Sequence, residues 1–149
     1  MRAARRRDER GTAVVEVTWL SILLLVPLLY IVLSVFEVQR SAFAVNAATR
    51  AAGRAYTLAP SQAEAADRAQ AAAAVALEDQ GLTMSRGSME LGCAGGTSGC
   101  LSPGSVVHVW MRYPVPLPLM PTALGGNTPS IRVDAEQSVP YGSFREDRS

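Results

Sequence analysis

Few side chains in this sequence could do chemistry, and their spacing narrows the kinds. There is one histidine, His108, and there are two cysteines, Cys93 and Cys100. Structural zinc sites take four Cys or His ligands, so these three cannot build one. A nucleophilic serine would have to rely on His108 alone. His108 sits in an alternating, strand-like stretch with no nucleophile motif beside it. Glycine-rich phosphate loops need a helix directly after them, and none is found. Glu64/Asp67 and Glu78/Asp79 read as solvated helix faces. Cys93 and Cys100 bracket Ala-Gly-Gly-Thr-Ser-Gly, a flexible loop whose spacing is not Cys-x-x-Cys. If this part of the chain lies outside the cytoplasm, a disulfide closing the loop is expected. No catalytic, cofactor or metal site is expected, and the chain reads as a non-enzyme.

Glu16 is the most informative residue. It stands five residues after Gly11 and directly before the run VTWLSILLLVPLLYIVLSVF, residues 17–36, which carries no charge. Twenty helical residues span about 30 Å, the thickness of a bilayer hydrocarbon core. A soluble helix would show a polar face, whereas here the polar residues are Thr18, Ser21 and Ser34, whose hydroxyls can bond back to the helix. Pro27 removes one backbone donor mid-run and is expected to kink the helix. An ionisable group at membrane depth is costly and points to a function with a partner; near the interface it can also simply reach the headgroups.

Charge gives the orientation. Residues 1–11 hold five arginines against Asp8 and Glu9, while residues 12–149 hold nine arginines against eleven acids. The basic leader should stay in the cytoplasm, with the chain beyond Glu37 on the other side. A net charge of +1 argues against a nucleic-acid partner, since such proteins carry a strongly basic surface. A secretory signal is the other reading of a basic–apolar start. The apolar run exceeds the usual 7–15 residues, and the nearest small-x-small site, Ala42-Phe43-Ala44, lies beyond Glu37 and Arg40.

The elements follow from the periods. Residues 37–58 continue the helix as a stalk, with small residues four apart at Ala44, Ala48, Ala52 and at Ala47, Ala51, Ala55, ridges that allow close helix approach. Arg40, Arg50 and Arg54 are either solvated or answer acidic groups on a partner. Pro60 interrupts. Ser61-Gln62-Ala63-Glu64 then reads as a capping box, opening a second helix to about Gln80 with Gly81 as C-cap. Residues 82–91 read as a weak strand. Residues 106–113 and 130–139 read as better ones; in the last, Ile131, Val133, Ala135 and Val139 share a face against Arg132, Asp134, Glu136 and Ser138. The proline-rich residues 114–121 read as an extended connector, Gly125-Gly126-Asn127 as a loop, and residues 145–149 as a frayed tail.

Arg10-Gly11-Thr12-Ala13-Val14-Val15-Glu16, the aliphatic run with Pro27-Leu28-Leu29, and Phe36-Glu37-Val38-Gln39-Arg40 together resemble the TadE-like pseudopilins of tight-adherence (Flp-type) pilus systems. The resemblance covers residues 10–58. It departs at Val17, where the family often has an aromatic residue, and at Thr12, which is not the phenylalanine of major pilins. The resemblance implies a class III signal cut between Gly11 and Thr12 by a prepilin peptidase, in the bacterial inner membrane. It also implies that Glu16 pairs with the amine freed at Thr12, on the same or a neighbouring subunit.

The expected fold is therefore an α+β membrane protein, pilin-like: a cytoplasmic leader at 1–11, a transmembrane helix and stalk at 12–58, a second helix at 61–80, and a β-rich extracytoplasmic region with a small antiparallel sheet at 82–149. The expected function is that of a minor pilin or pseudopilin-like component of a tight-adherence pilus or related secretion assembly, acting by helix packing, with other pilins, assembly proteins and lipid as partners. The alternative is an uncleaved, single-pass anchored binding protein whose sheet does the recognising.

Overall fold

The computed structural model describes residues 9–96, 98–117 and 129–149, with side chains from Ala13 onward. The leader arginines before Glu9 and the loop at Gly125-Gly126-Asn127 lie outside them. Two helices and three strands follow in the order α1 (Glu9–Thr57), α2 (Gln62–Glu78), β1 (Met89–Ala94), β2 (Val106–Pro116) and β3 (Ser130–Pro140). The fold is α+β with one antiparallel sheet ordered β1-β2-β3.

Helix α1 is 49 residues long, about 73 Å. It begins at Glu9, inside the expected leader, and passes through Gly11 and Thr12 as unbroken helix. Its two halves differ sharply. From Val14 to Phe36 the large apolar side chains are exposed, whereas Ala44, Val45, Ala48 and Ala52 are fully buried. This alanine ridge meets the matching ridge Ala65, Ala69, Ala73 and Leu77 of α2. Small side chains at four-residue intervals let the two axes come close. The second ridge, with Ala47 exposed and Ala51 and Ala55 half-buried, is not covered in this way.

The other flank of α1 receives the sheet. Val107, Val109, Met111 and Val115 of β2 and Val133 and Ala135 of β3 form its buried face. Gly53 makes the approach close, because a Cβ there would stand 2.6 Å from Val139 Cγ2. Helix α1 thus lies between α2 and the sheet.

Several expectations are corrected. The weak strand expected at 82–91 begins only at Met89: residues 82–85 form no regular element and 85–88 turn, the Ser88 amide donating to the Ser85 carbonyl, with Gly87 in the left-handed region at φ 76°. The capping box is not formed. Ser61 makes no side-chain cap bond, and Glu64 pairs with Arg68 at 3.0 Å. The Gln62 amide is satisfied by the Arg148 carbonyl at 3.1 Å. The other end of α2 is as expected: Leu82 N–H donates to the Leu77 carbonyl and Gly81 N–H to the Glu78 carbonyl, a Schellman closure with Gly81 at φ 72°. Pro114 and Pro116 extend β2 and do not begin a connector. The Arg112 amide donates toward β1's side, to Ser88. Two and four residues on, the prolines face that same side beyond Met89, the first residue of β1, so their missing N–H groups leave no ladder bond unmade.

Candidate functional site

The exposed half of α1 carries the residues expected to act. Thr18, Ser21 and Ser34 donate to the carbonyls four residues earlier at 2.7–2.8 Å, so each hydroxyl is satisfied without a partner outside the helix. Pro27 lies inside the helix, where the Leu23 carbonyl loses its donor. Trp19, Ile22, Leu23 and Val26 leave an apolar notch beside it. Glu16 is exposed, and among the described residues no ion pair includes it. Its nearest backbone neighbour upstream on the same face is Thr12, one turn or about 6 Å along the axis. An amine created at Thr12 would therefore fall within one turn of the Glu16 carboxylate, at the end of a helix whose first four N–H groups lack acceptors.

A second constellation lies on the outer face of the sheet. The register sets His108 opposite Ser138 and Trp110 opposite Glu136. His108 Nδ1 is 2.9 Å from Ser138 Oγ and 3.8 Å from Glu136 Oε1. Both partners address the same ring nitrogen, so the three do not form a relay in which acid and serine occupy opposite nitrogens. The ring of His108 stacks on Trp110 at 5.5 Å and 12°. Gly92 makes room for that indole, since a Cβ would meet Trp110 Cζ3 at 2.9 Å. The sequence reading missed Ser138 as a partner; alternation alone places it on the polar face but does not fix the register against β2. Among the described residues no group of three His, Cys, Asp or Glu is placed to hold a metal ion.

The disulfide Cys93–Cys100 is formed, with Cα atoms 5.4 Å apart. It closes the expected loop, and the chain's end docks against that loop. Ser98 Oγ donates to Asp147 at 2.9 Å, and the Ser149 hydroxyl donates to Asp147 at 2.6 Å. These hydroxyl and amide donors hold the Asp147 carboxyl below its usual range, with Ser149 contributing most. The expected frayed tail is thus a clasp. Arg145 Nη1 donates to the Thr57 carbonyl at 2.9 Å and Arg148 Nη1 to the Ala59 carbonyl at 3.3 Å. Thr57 is the last residue of α1, where orphan acceptors gather, and Ala59 lies two residues beyond it in the connection to α2. The Arg145 guanidinium also lies over the Tyr141 ring, 4.8 Å from its centroid. Arginine near a helix C-terminus is a recognised signal, but here it arrives from almost ninety residues away.

No protein-family model matches the chain, and no curated protein or solved structure matches it either.

Proposed function

We propose that this protein is a pseudopilin-like component of a tight-adherence pilus or related secretion assembly, anchored in the bacterial inner membrane by the first half of α1. The supporting observation is that half itself. Seventeen large hydrophobic residues from Val14 to Phe36 are exposed. Burying such a side chain is worth about 1.5–3 kcal/mol, so leaving them in water forgoes on the order of 25–50 kcal/mol. That exceeds the whole stability of a typical domain, about 5–15 kcal/mol. A bilayer and neighbouring helices are the surroundings that fit. The basic leader directs the N-terminus to the cytoplasm and the disulfide-bearing head to the outside.

In this reading a prepilin peptidase cuts between Gly11 and Thr12, and the new amine pairs with Glu16. Opposite charges attract strongly where the dielectric is low, and either one left alone there is penalised. The pair would fix the height at which the helix enters a bundle of others. The test is Glu16→Gln, which keeps the shape and removes the charge. In cells expressing the prepilin peptidase and pilus components, the variant should resist alkaline extraction from membranes like the wild type but lose co-purification with pilins. Unchanged co-purification would contradict the reading.

One observation favours the rival, an uncleaved anchored binding protein. Helix α1 is continuous across Gly11 and Thr12, and a protease must first unwind a helical peptide bond. In that reading the outer sheet face around His108 and Trp110 does the recognising, and an unrelated transmembrane helix could replace residues 12–36 without loss.

A further inference from the structure

The head leaves one face of each helix exposed, that of α2 bordered at Asp67 and Ala71 by the segment Met84–Gly87, and the two faces match each other. The outward stripe of α1 carries Arg40, Phe43, Ala47, Arg50 and Arg54, all exposed. Their spacing of three or four residues keeps them on one helical face. The outward stripe of α2 carries Glu64, Asp67, Ala71, Val75 and Glu78 at the same kind of spacing, again all exposed. Phe43 is 76% exposed and Val75 is 58% exposed. These are large apolar groups within charged stripes. The charges already paired within the chain, Glu37 with Arg40 at 3.6 Å and Glu64 with Arg68 at 3.0 Å, are surface pairs one helical turn long. Such pairs hold their partners weakly.

Orientation decides how the stripes can meet. Laid parallel, they put Phe43 against Asp67 and Arg50 against Val75. Laid antiparallel, Arg54 meets Glu64, Arg50 meets Asp67 and Arg40 meets Glu78. Phe43 then covers Val75, and the two small residues Ala47 and Ala71 face each other at the centre. We propose that a second copy of this chain docks its α2 antiparallel on the outer stripe of α1.

The geometry of the hairpin then fixes the assembly. Within one chain α2 already runs antiparallel to α1: Gln62 bonds the Tyr56 hydroxyl at one end, and Arg40 lies beside Gly81 at the other, 3.8 Å from where its Cβ would be. A neighbour's α2 antiparallel to α1 therefore makes the two α1 helices parallel. Arg54 and Glu64 stand at the same height beside the hairpin turn, so the neighbour need not slide along the axis. Two copies thus stand side by side and level, their apolar halves pointing the same way. This is the arrangement open to two chains anchored in one membrane, and on that point the inference rests on the anchor reading. Each copy offers an α1 stripe to one neighbour and an α2 stripe to another. The contact is heterologous and propagates as a ring or row.

The test uses full-length protein in membranes. The native cysteines are both in the disulfide, so introduced thiols stand alone. A Phe43→Cys chain and a Val75→Cys chain, differently tagged and co-expressed, should cross-link to each other on mild oxidation, while Phe43→Cys alone should give little dimer. Arg50→Glu with Arg54→Glu in the first chain should cut the yield about tenfold, because attractive contacts become repulsive. Glu64→Arg with Asp67→Arg in the second should restore it, which excludes simple misfolding as the cause. Overturning results are dimers of Phe43→Cys alone at equal yield, indifference to charge reversal, or no cross-link in chains that resist alkaline extraction. If the chains wash out of membranes yet still cross-link, the anchor reading fails and the docking stands.

Discussion

Gly53 is where two general effects on α1 oppose one another, and the structure says which wins. Replacing a helix-interior glycine by alanine normally stabilises by roughly 1 kcal/mol. At Gly53 the added methyl would stand 2.6 Å from Val139 Cγ2 and 3.6 Å from Val109 Cγ2. The first distance is well inside van der Waals contact. Valine cannot swing aside freely, because its χ1 is stiff, and β3 is held by its ladder to β2. Overpacking of this kind costs typically about 1–3 kcal/mol. The net effect of Gly53→Ala is therefore a loss of about 1 kcal/mol, a fall in Tm of about 4–8 °C for a head of this size. Thermal unfolding of the full chain in detergent, followed by near-UV circular dichroism, reads it. Val139→Ala lowers stability in the wild type by leaving a gap, but in the Gly53→Ala background it removes the obstacle and should raise Tm. If Gly53→Ala raises Tm, or the double variant gains nothing over Gly53→Ala, the close approach of α1 to the sheet is not as described.

Other consequences of the head's architecture are equally open to measurement. Arg145→Ala leaves the Thr57 carbonyl without its donor and should cost about 1–2 kcal/mol; a thermal melt indistinguishable from wild type would refute the clasp. Removing the disulfide by Cys93→Ser with Cys100→Ser should cost about 2.5 kcal/mol for so short a loop, read by denaturant titration. Asp147 is depressed from 3.8 by the Ser149 and Ser98 donors. With its folded value below its unfolded one, its contacts stabilise fully above pH 3.8 and are lost as the pH falls below it. An NMR titration of the Ser149 amide should show a midpoint under 3.8, abolished by Asp147→Asn; a midpoint above 3.8 would contradict the arrangement.

Legibility in the sequence followed the range of each interaction. The apolar run at 17–36, the second helix with its Gly81 stop and the alternation of β2 and β3 are local patterns, and each reappears in the structure within a few residues. The disulfide was legible because only two cysteines exist and a glycine-rich loop joins them. What escaped was long-range. Arg145 and Arg148 read as tail residues because nothing near them in sequence announces the end of α1. Ser61 and Glu64 fit the capping pattern, yet Glu64 turned to Arg68 one turn on, and the Arg148 carbonyl reached in from the chain's far end to take the neighbouring Gln62 amide. Ser138 became the partner of His108 through strand register. At Arg145, Arg148 and Ser138 the departure has one cause: the partner lies far away in sequence.

The mature N-terminus tests the central claim most directly. Intact-mass and N-terminal peptide analysis of the protein from membranes of cells carrying a prepilin peptidase should find a chain beginning at Thr12. That result places a new amine one turn from Glu16 and makes the apolar half of α1 an assembly element. A chain beginning at Met1 or Arg2 would contradict it and leave an anchored domain, and one beginning at Val45 would make the head a secreted protein.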